Sequence, residues 1–314
     1  MLHYLRAFIL QVVLGLYCFA APSGVLAQTD IEAQTEAARA AYIAGDYVTA
    51  MDLAVEPANA GIGAAQNILG IGYNMGQGLE QDIELAVLWF ESAIENGSAK
   101  AAHNLGTLMR DGGPGFAANP VRARSLFEQA VAQDFTPALT ALGYMYDHGL
   151  GGPALSAEAN ALFVRALAAG DVAASEPLAH QYLEGRFVAQ DDTIARALFA
   201  DSAAIGDAQS TNNLGIMNEL GRGGPVDLNR ARQLYLQSVS GGQARAGLSL
   251  ATLIYDNPEM GSREEQYGYC FWALRHADPS NQEPISGACQ PMIDALNAKQ
   301  AQAAGFFADA LDAP

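Results

Sequence analysis

The chain has 314 residues, half of them hydrophobic and 16% charged, with 34 acidic side chains against 16 basic ones and a formal net charge of −18. Such a surface repels phosphate backbones, which excludes a nucleic-acid partner from expectation. Anionic lipid surfaces are disfavoured for the same reason.

Residues 1–27 have the three parts of a secretory signal. Arg6 closes a short basic start, residues 7–20 are apolar, and Val25-Leu26-Ala27 puts small residues where a signal peptidase reads. Cleavage is expected between Ala27 and Gln28. A retained anchor is the competing reading, but the apolar run is short and meets Pro22 and Gly24. Lipidation at Cys18 is opposed by the bulky Tyr17 before it. The expected product, residues 28–314, is periplasmic or secreted, and no later segment is apolar for long enough to insert into a membrane.

Residues 28–63 follow as an N-terminal cap, a helix pair over 33–60 joined at Gly45-Asp46-Tyr47. A repeat then takes over. Leu69, Leu105, Leu142, Leu178, Leu214 and Leu250 recur at steps of 36, 37, 36, 36 and 36, each followed by glycine or alanine. Four residues before each leucine stands Ala65, Ala101, Ala138, Ala174, Ser210 or Ala246. Seven after it come Gly76, Gly112, Gly149, Gly185 and Gly221, and a bulky pair such as Trp89-Phe90 or Leu126-Phe127 closes each unit.

Each unit reads as two helices. The first carries the alanine, the leucine and Tyr73, Met109, Tyr146 or Tyr182 on one face at helical spacing. Glycine after the leucine weakens a helix by roughly 0.5–1 kcal/mol against alanine, so its recurrence predicts a neighbour that approaches closely. The second helix is predicted to open with a capping residue: Asp82, Asn119, Ser156, Asp191 and Asp227. Calcium loops are the alternative for these acids, but most loops offer too few converging oxygens.

Residues 278–284 are a polar connection into two further helices, at 285–296 and 298–311, with Asn297 as a cap between them. Met292, Ile293, Leu296, Phe306 and Phe307 are expected to cover the open end of the stack, as repeat arrays require. Cys270 and Cys289 remain after cleavage, and an even pair in an exported chain predicts one disulfide, with two free thiols as the alternative.

With its alanine, leucine-glycine, aromatic, loop glycines, capping aspartate and aromatic pair, the unit resembles the Sel-one-like repeat family, relatives of the tetratricopeptide repeats. Asp82, Ala86, Trp89, Phe90, Ala93 and Gly97 match the second half of the motif closely. The resemblance covers residues 64–277 as six repeats and implies an all-α fold, a right-handed superhelical α/α solenoid of helix pairs with capping helices at 28–63 and 278–314. The tight turn at Gly45 is more like that of an ordinary tetratricopeptide repeat. Ala179 and Phe187 replace two glycines in the fourth unit, and Asn257-Pro258 replaces the loop glycines of the sixth, so both loops are expected to differ.

No catalytic set is found. His103, His148, His180 and His276 form no close-spaced pair, and a Ser-x-x-Lys motif, a Gly-x-Ser-x-Gly elbow and a phosphate loop are all absent. Some relatives have been linked to β-lactam hydrolysis, but those carry a disulfide in nearly every unit. The expectation is a protein that is not an enzyme and needs no metal or cofactor. Its business is a protein or peptide partner, held on the concave face that the first helices line in solenoids of this type. That face carries Asn67, His103, Arg110, Tyr144, Asp147, Glu176, His180, Asn212, Glu219 and Tyr255, beside Ile71, Asn74 and Thr107. A regulator restraining the outer domain of a membrane sensor, and a hydrolase of β-lactam or cell-wall substrates, are the alternatives.

Overall fold

The computed structural model describes residues 28–113, 115–294 and 296–312, so the leader expected at 1–27 lies outside the described residues. Those residues hold sixteen α-helices and no strand. None of the helices is long and apolar enough to cross a membrane. Two compact units divide the chain after Leu155.

The first unit contains α1 (Gln28–Ile43), α2 (Tyr47–Asn59), α3 (Gly63–Met75), α4 (Ile83–Glu95), α5 (Ala99–Asp111), α6 (Pro120–Ala132) and α7 (Pro137–Asp147). Consecutive helices pack on one another, α1 on α2, α3 on α4 and α5 on α6. Asp46 caps α2 by accepting from the Thr49 N–H at 3.2 Å, the N-terminal pair thus closing at the turn read from the sequence. Ala50, Met51, Ala54, Ala65, Leu69 and Trp89 form one buried cluster, the expected consequence of small and large residues recurring at helical spacing.

The second unit contains α8 (Ser156–Ala168), α9 (Ser175–Glu184), α10 (Asp192–Ala204), α11 (Ala208–Leu220), α12 (Leu228–Ser240), α13 (Ala244–Asp256), α14 (Arg263–His276), α15 (Gln282–Asp294) and α16 (Ala298–Leu311). Short 3-10 turns at Val172–Ala174 and Pro258–Met260 precede α9 and α14. The second of these, with a capping box of Ser262 and Glu265, is the altered connection expected at Asn257-Pro258. The core of this end gathers Tyr235, Leu250, Leu253, Tyr269, Trp272, Ile285 and Cys289.

The close approach predicted at the leucine-glycine sites is made by the closing aromatic of the same repeat. A Cβ on Gly70 would stand 2.6 Å from Phe90, and one on Gly215 would stand 2.5 Å from Tyr235. Both rings are fully buried. Four of the five predicted caps hold: Asp82, Asn119, Asp191 and Asp227 each accept from a backbone N–H two or three residues on, at 2.9–3.1 Å. Ser156 is the exception, because it is the first residue of α8 and not the one before it. Leu155 stands in the capping register, and its N–H donates to the Tyr146 carbonyl as that of Asp82 does to Tyr73 and that of Asp191 to Tyr182.

Phe187 does not change the loop it occupies. Its φ of +63° matches the +74°, +73° and +66° of Gly78, Gly151 and Gly223 at the same place in other repeats. At the C-terminal end Asn297 and Gln300 form a reciprocal capping box at 3.0 Å. Helix α15 begins three residues earlier than expected, after Asp278 gathers the N–H groups of Ser280 and Asn281. Met292, Ile293 and Phe307 pack onto the core as a cap, but Phe306 is exposed, one residue round the helix from the face that Phe307 buries. Cys270 of α14 and Cys289 of α15 are joined by a disulfide with Cα atoms 5.3 Å apart.

Candidate functional site

The first helices of the repeats carry the residues singled out for binding, and the structure sorts them into three groups. Asn67 and Asn212 are buried, each accepting from the next repeat: Asn104 Nδ2 donates to Asn67 Oδ1 at 2.9 Å, and Ser249 Oγ donates to Asn212 Oδ1 at 3.0 Å. These two are rungs between repeats and are not presented to solvent.

A second group is partly exposed but held in place. Glu176 accepts from Gln209 Nε2 at 3.1 Å, and His180 Nε2 lies 3.1 Å from Glu176 Oε1 and 3.3 Å from Asn213 Nδ2. The His180 ring meets Phe199 edge-on at 5.1 Å. Glu219 accepts from the Tyr235 hydroxyl at 2.5 Å, and burial followed by that carboxylate pushes the phenol well above its ordinary range. Arg110 makes a two-pronged pair with Asp111 at 2.7 and 2.9 Å, and its guanidinium is held charged chiefly by that hydrogen bond. His103 lies between the rings of Phe127 and Phe135, and Asp147 is half-buried near the end of α7.

The third group is open. Tyr144 is 44% exposed and stacks on His148 at 4.0 Å. Tyr255 is 64% exposed. In the first unit α3, α4 and α5 line a cavity of about 480 Å³ whose residues include Ile71, Asn74, His103, Asn104, Thr107 and Phe90. Four of these belong to the face read from the sequence. The lining mixes side-chain amides with aliphatic and aromatic carbon, so it can hydrogen-bond a peptide backbone and seat an apolar side chain.

Two features escaped sequence reasoning. The residue just before the leucine reaches back to the preceding repeat in Asn104, Asn213 and Ser249, and the recurrence of Asn-Leu-Gly at two of these sites was the available signal. The other is a cavity beside the disulfide, built from residues more than thirty positions apart. Among the described residues no group of three His, Cys, Asp or Glu side chains is placed to hold a metal.

A family model described as Sel1 repeat matches residues 63–98, 99–135, 136–171, 178–207 and 208–243, five of the six units read from the leucine spacing. Among solved structures, a Sel1 repeat protein from Oxalobacter formigenes is 28% identical with a TM-score of 0.69, over 78% of this chain and 97% of that one. A protective antigen of uropathogenic Escherichia coli strains displaying an SLR fold is 24% identical with a TM-score of 0.67, over 89% of this chain. The chain spans 61% of that protein's length. No curated protein sequence matches. The helix pairs described above are thus of the SLR solenoid type.

Proposed function

The chain belongs to the Sel1 repeat family, and from that premise we propose that it is an exported scaffold that holds a protein or peptide partner on the first-helix faces of its repeats. The observation that carries this reading is the cavity of about 480 Å³ between α3 and α5, lined by Ile71, Asn74, His103 and Thr107. A recognition groove needs a few apolar seats flanked by hydrogen-bonding groups, and this one has both. Tyr144, further along the same unit, adds an exposed aromatic of the type that anchors protein interfaces. The acidic surface favours a partner with basic character. Export rests on the leader at residues 1–27.

The test is capture in living cells. A photocrosslinking amino acid at Thr107 or Tyr144 should trap a discrete partner, and the double variant Ile71→Glu and Thr107→Glu should weaken its binding at least tenfold, about 1.4 kcal/mol. The helical circular dichroism spectrum should not change, because both side chains lie on the open side of their helices. Equal capture by the double variant would remove this surface from the proposal.

A further inference from the structure

At the far end of the second unit, the last turn of α13, the 3-10 turn at Pro258–Met260, the start of α14 and the second half of α15 enclose a cavity of about 630 Å³. That is within the size range of small-ligand sites, roughly 300–1,000 Å³. Ile254, Pro258, Pro291 and Met292 give it apolar walls, and Tyr255 and Tyr267 add aromatic surface. Its polar side chains other than the phenols are Arg263 and Gln266.

Both are available to a ligand. In this unit Arg222, Arg232 and Arg275 are each held by a carboxylate within 3.3 Å, whereas Arg263, like several other arginines of the unit, is exposed and not so held. Arg263 makes no ion pair among the described residues. Its neighbour Glu265 is engaged elsewhere, accepting from the Ser262 N–H at 2.7 Å and from Arg232 at 3.3 Å. Gln266 is 6% exposed, and its side-chain amide donates to Met292 Sδ at 3.5 Å, a weak acceptor for a buried donor. An exposed guanidinium with no ion pair and a buried amide without a strong partner both line the same largely apolar hollow. The far wall is fixed, since Cys289 lies between the lining residues Ala288 and Met292 and is bonded to α14 through Cys270.

We propose that this cavity binds an apolar carboxylate, with the acid group on Arg263 and Gln266 and the hydrocarbon against Ile254, Pro291 and Met292. The carboxylate offers oxygens that match the guanidinium fork, and the walls reward an aliphatic or aromatic body. The group can belong to a free acid or to the C-terminus of a peptide. This site is separate from the cavity between α3 and α5, so either can fail without the other.

The experiment is calorimetric titration of the full exported chain with three probes: 3-phenylpropanoate, the tripeptide Gly-Gly-Phe with a free C-terminus, and the same tripeptide amidated. Binding of either acid, at least tenfold tighter than the amide, is expected. Binding of 3-phenylpropanoate alone assigns the site to free acids, binding of the peptide acid alone assigns it to a C-terminus, and equal affinity shows that only the shared carboxylate and apolar body are recognised. Arg263→Gln should reduce acid binding at least tenfold and Arg263→Lys should restore part of it, with the thermal unfolding midpoint preserved in both. The proposal is overturned if neither acid binds, if the amide binds as well as the acid, or if Arg263→Gln binds like the parent.

Discussion

A single missing carbon sets how closely the two helices of a repeat approach. A Cβ on Gly70 or Gly215 would stand 2.6 or 2.5 Å from the buried rings of Phe90 and Tyr235, whereas at Gly106 the gap to Phe127 is 2.9 Å. Alanine would add about 1 kcal/mol of helix preference, but forcing a methyl group into a filled core costs about 1–3 kcal/mol. Gly70→Ala and Gly215→Ala should therefore lower the unfolding free energy by up to about 2 kcal/mol, and Gly106→Ala by less. Urea unfolding of the three variants checks the order, and a stabilised Gly215→Ala would show that the ring can move aside. The clash direction was legible from the leucine-glycine recurrence, although the partner ring was not named by it. The caps were also legible wherever a capping residue stood in register, and Ser156 misled because the in-register residue is an ordinary leucine. Asn67 and Asn212 were misplaced for a different reason. Helical spacing gives the angle of a side chain about its own axis, but whether the next repeat covers it depends on Asn104 and Ser249, which belong to another helix.

Between elements, the loop of one repeat docks on the second helix of the repeat before it. The glycines at Gly78, Gly151 and Gly223 lie against the carbonyls of Tyr47, Pro120 and Asp192, where a Cβ would come within 2.1–2.4 Å. Phe187 keeps the same left-handed backbone, which a phenylalanine seldom adopts, but it carries a Cβ and its side chain is exposed, so it does not repeat this close approach. Helix pairing was readable because the period repeats within each unit. The C-terminal cap was readable only as two helices, since nothing periodic sets which of their faces turns inward, and Phe306 was assigned to the wrong one. What ties that cap down is partly covalent. The Cys270–Cys289 bond spans 19 residues, and closing a loop of that size contributes roughly 3 kcal/mol in the chain-entropy account. Reduction, or Cys289→Ser, should raise amide hydrogen exchange in α15 and α16 first and leave α3 to α6 protected, because each repeat draws its stability from its neighbours. Uniform loss of protection along the chain would contradict this local picture.

At the scale of the whole molecule the dominant fact is charge, and acid separates its effect from that of individual ion pairs. With a sequence pI of about 4.5, lowering the pH from 7 towards that value removes net repulsion between carboxylates. Stability should then hold or rise slightly as the isoelectric point is approached. Three carboxylates in the second unit, Asp192, Asp278 and Asp312, act in a lower range. The hydrogen bond from Arg222 holds Asp192 below its ordinary value of 3.8, and hydrogen bonds from the Ser280 hydroxyl and N–H do the same for Asp278. A carboxylate whose value is depressed in the folded state contributes stability that is fully present above 3.8 and is lost as the pH falls through the lower, folded value. The thermal midpoint should therefore change little from pH 7 to 4.5 and drop steeply only below about pH 4. Asp192→Asn removes one of these contributions at neutral pH. Its midpoint should start lower than that of the parent and converge with it as the pH falls through the depressed folded-state value of Asp192, below which both side chains are uncharged. A midpoint difference that does not narrow at all as the pH is lowered below 3.8 would mean that Asp192 acts through packing and not through its charge on Arg222.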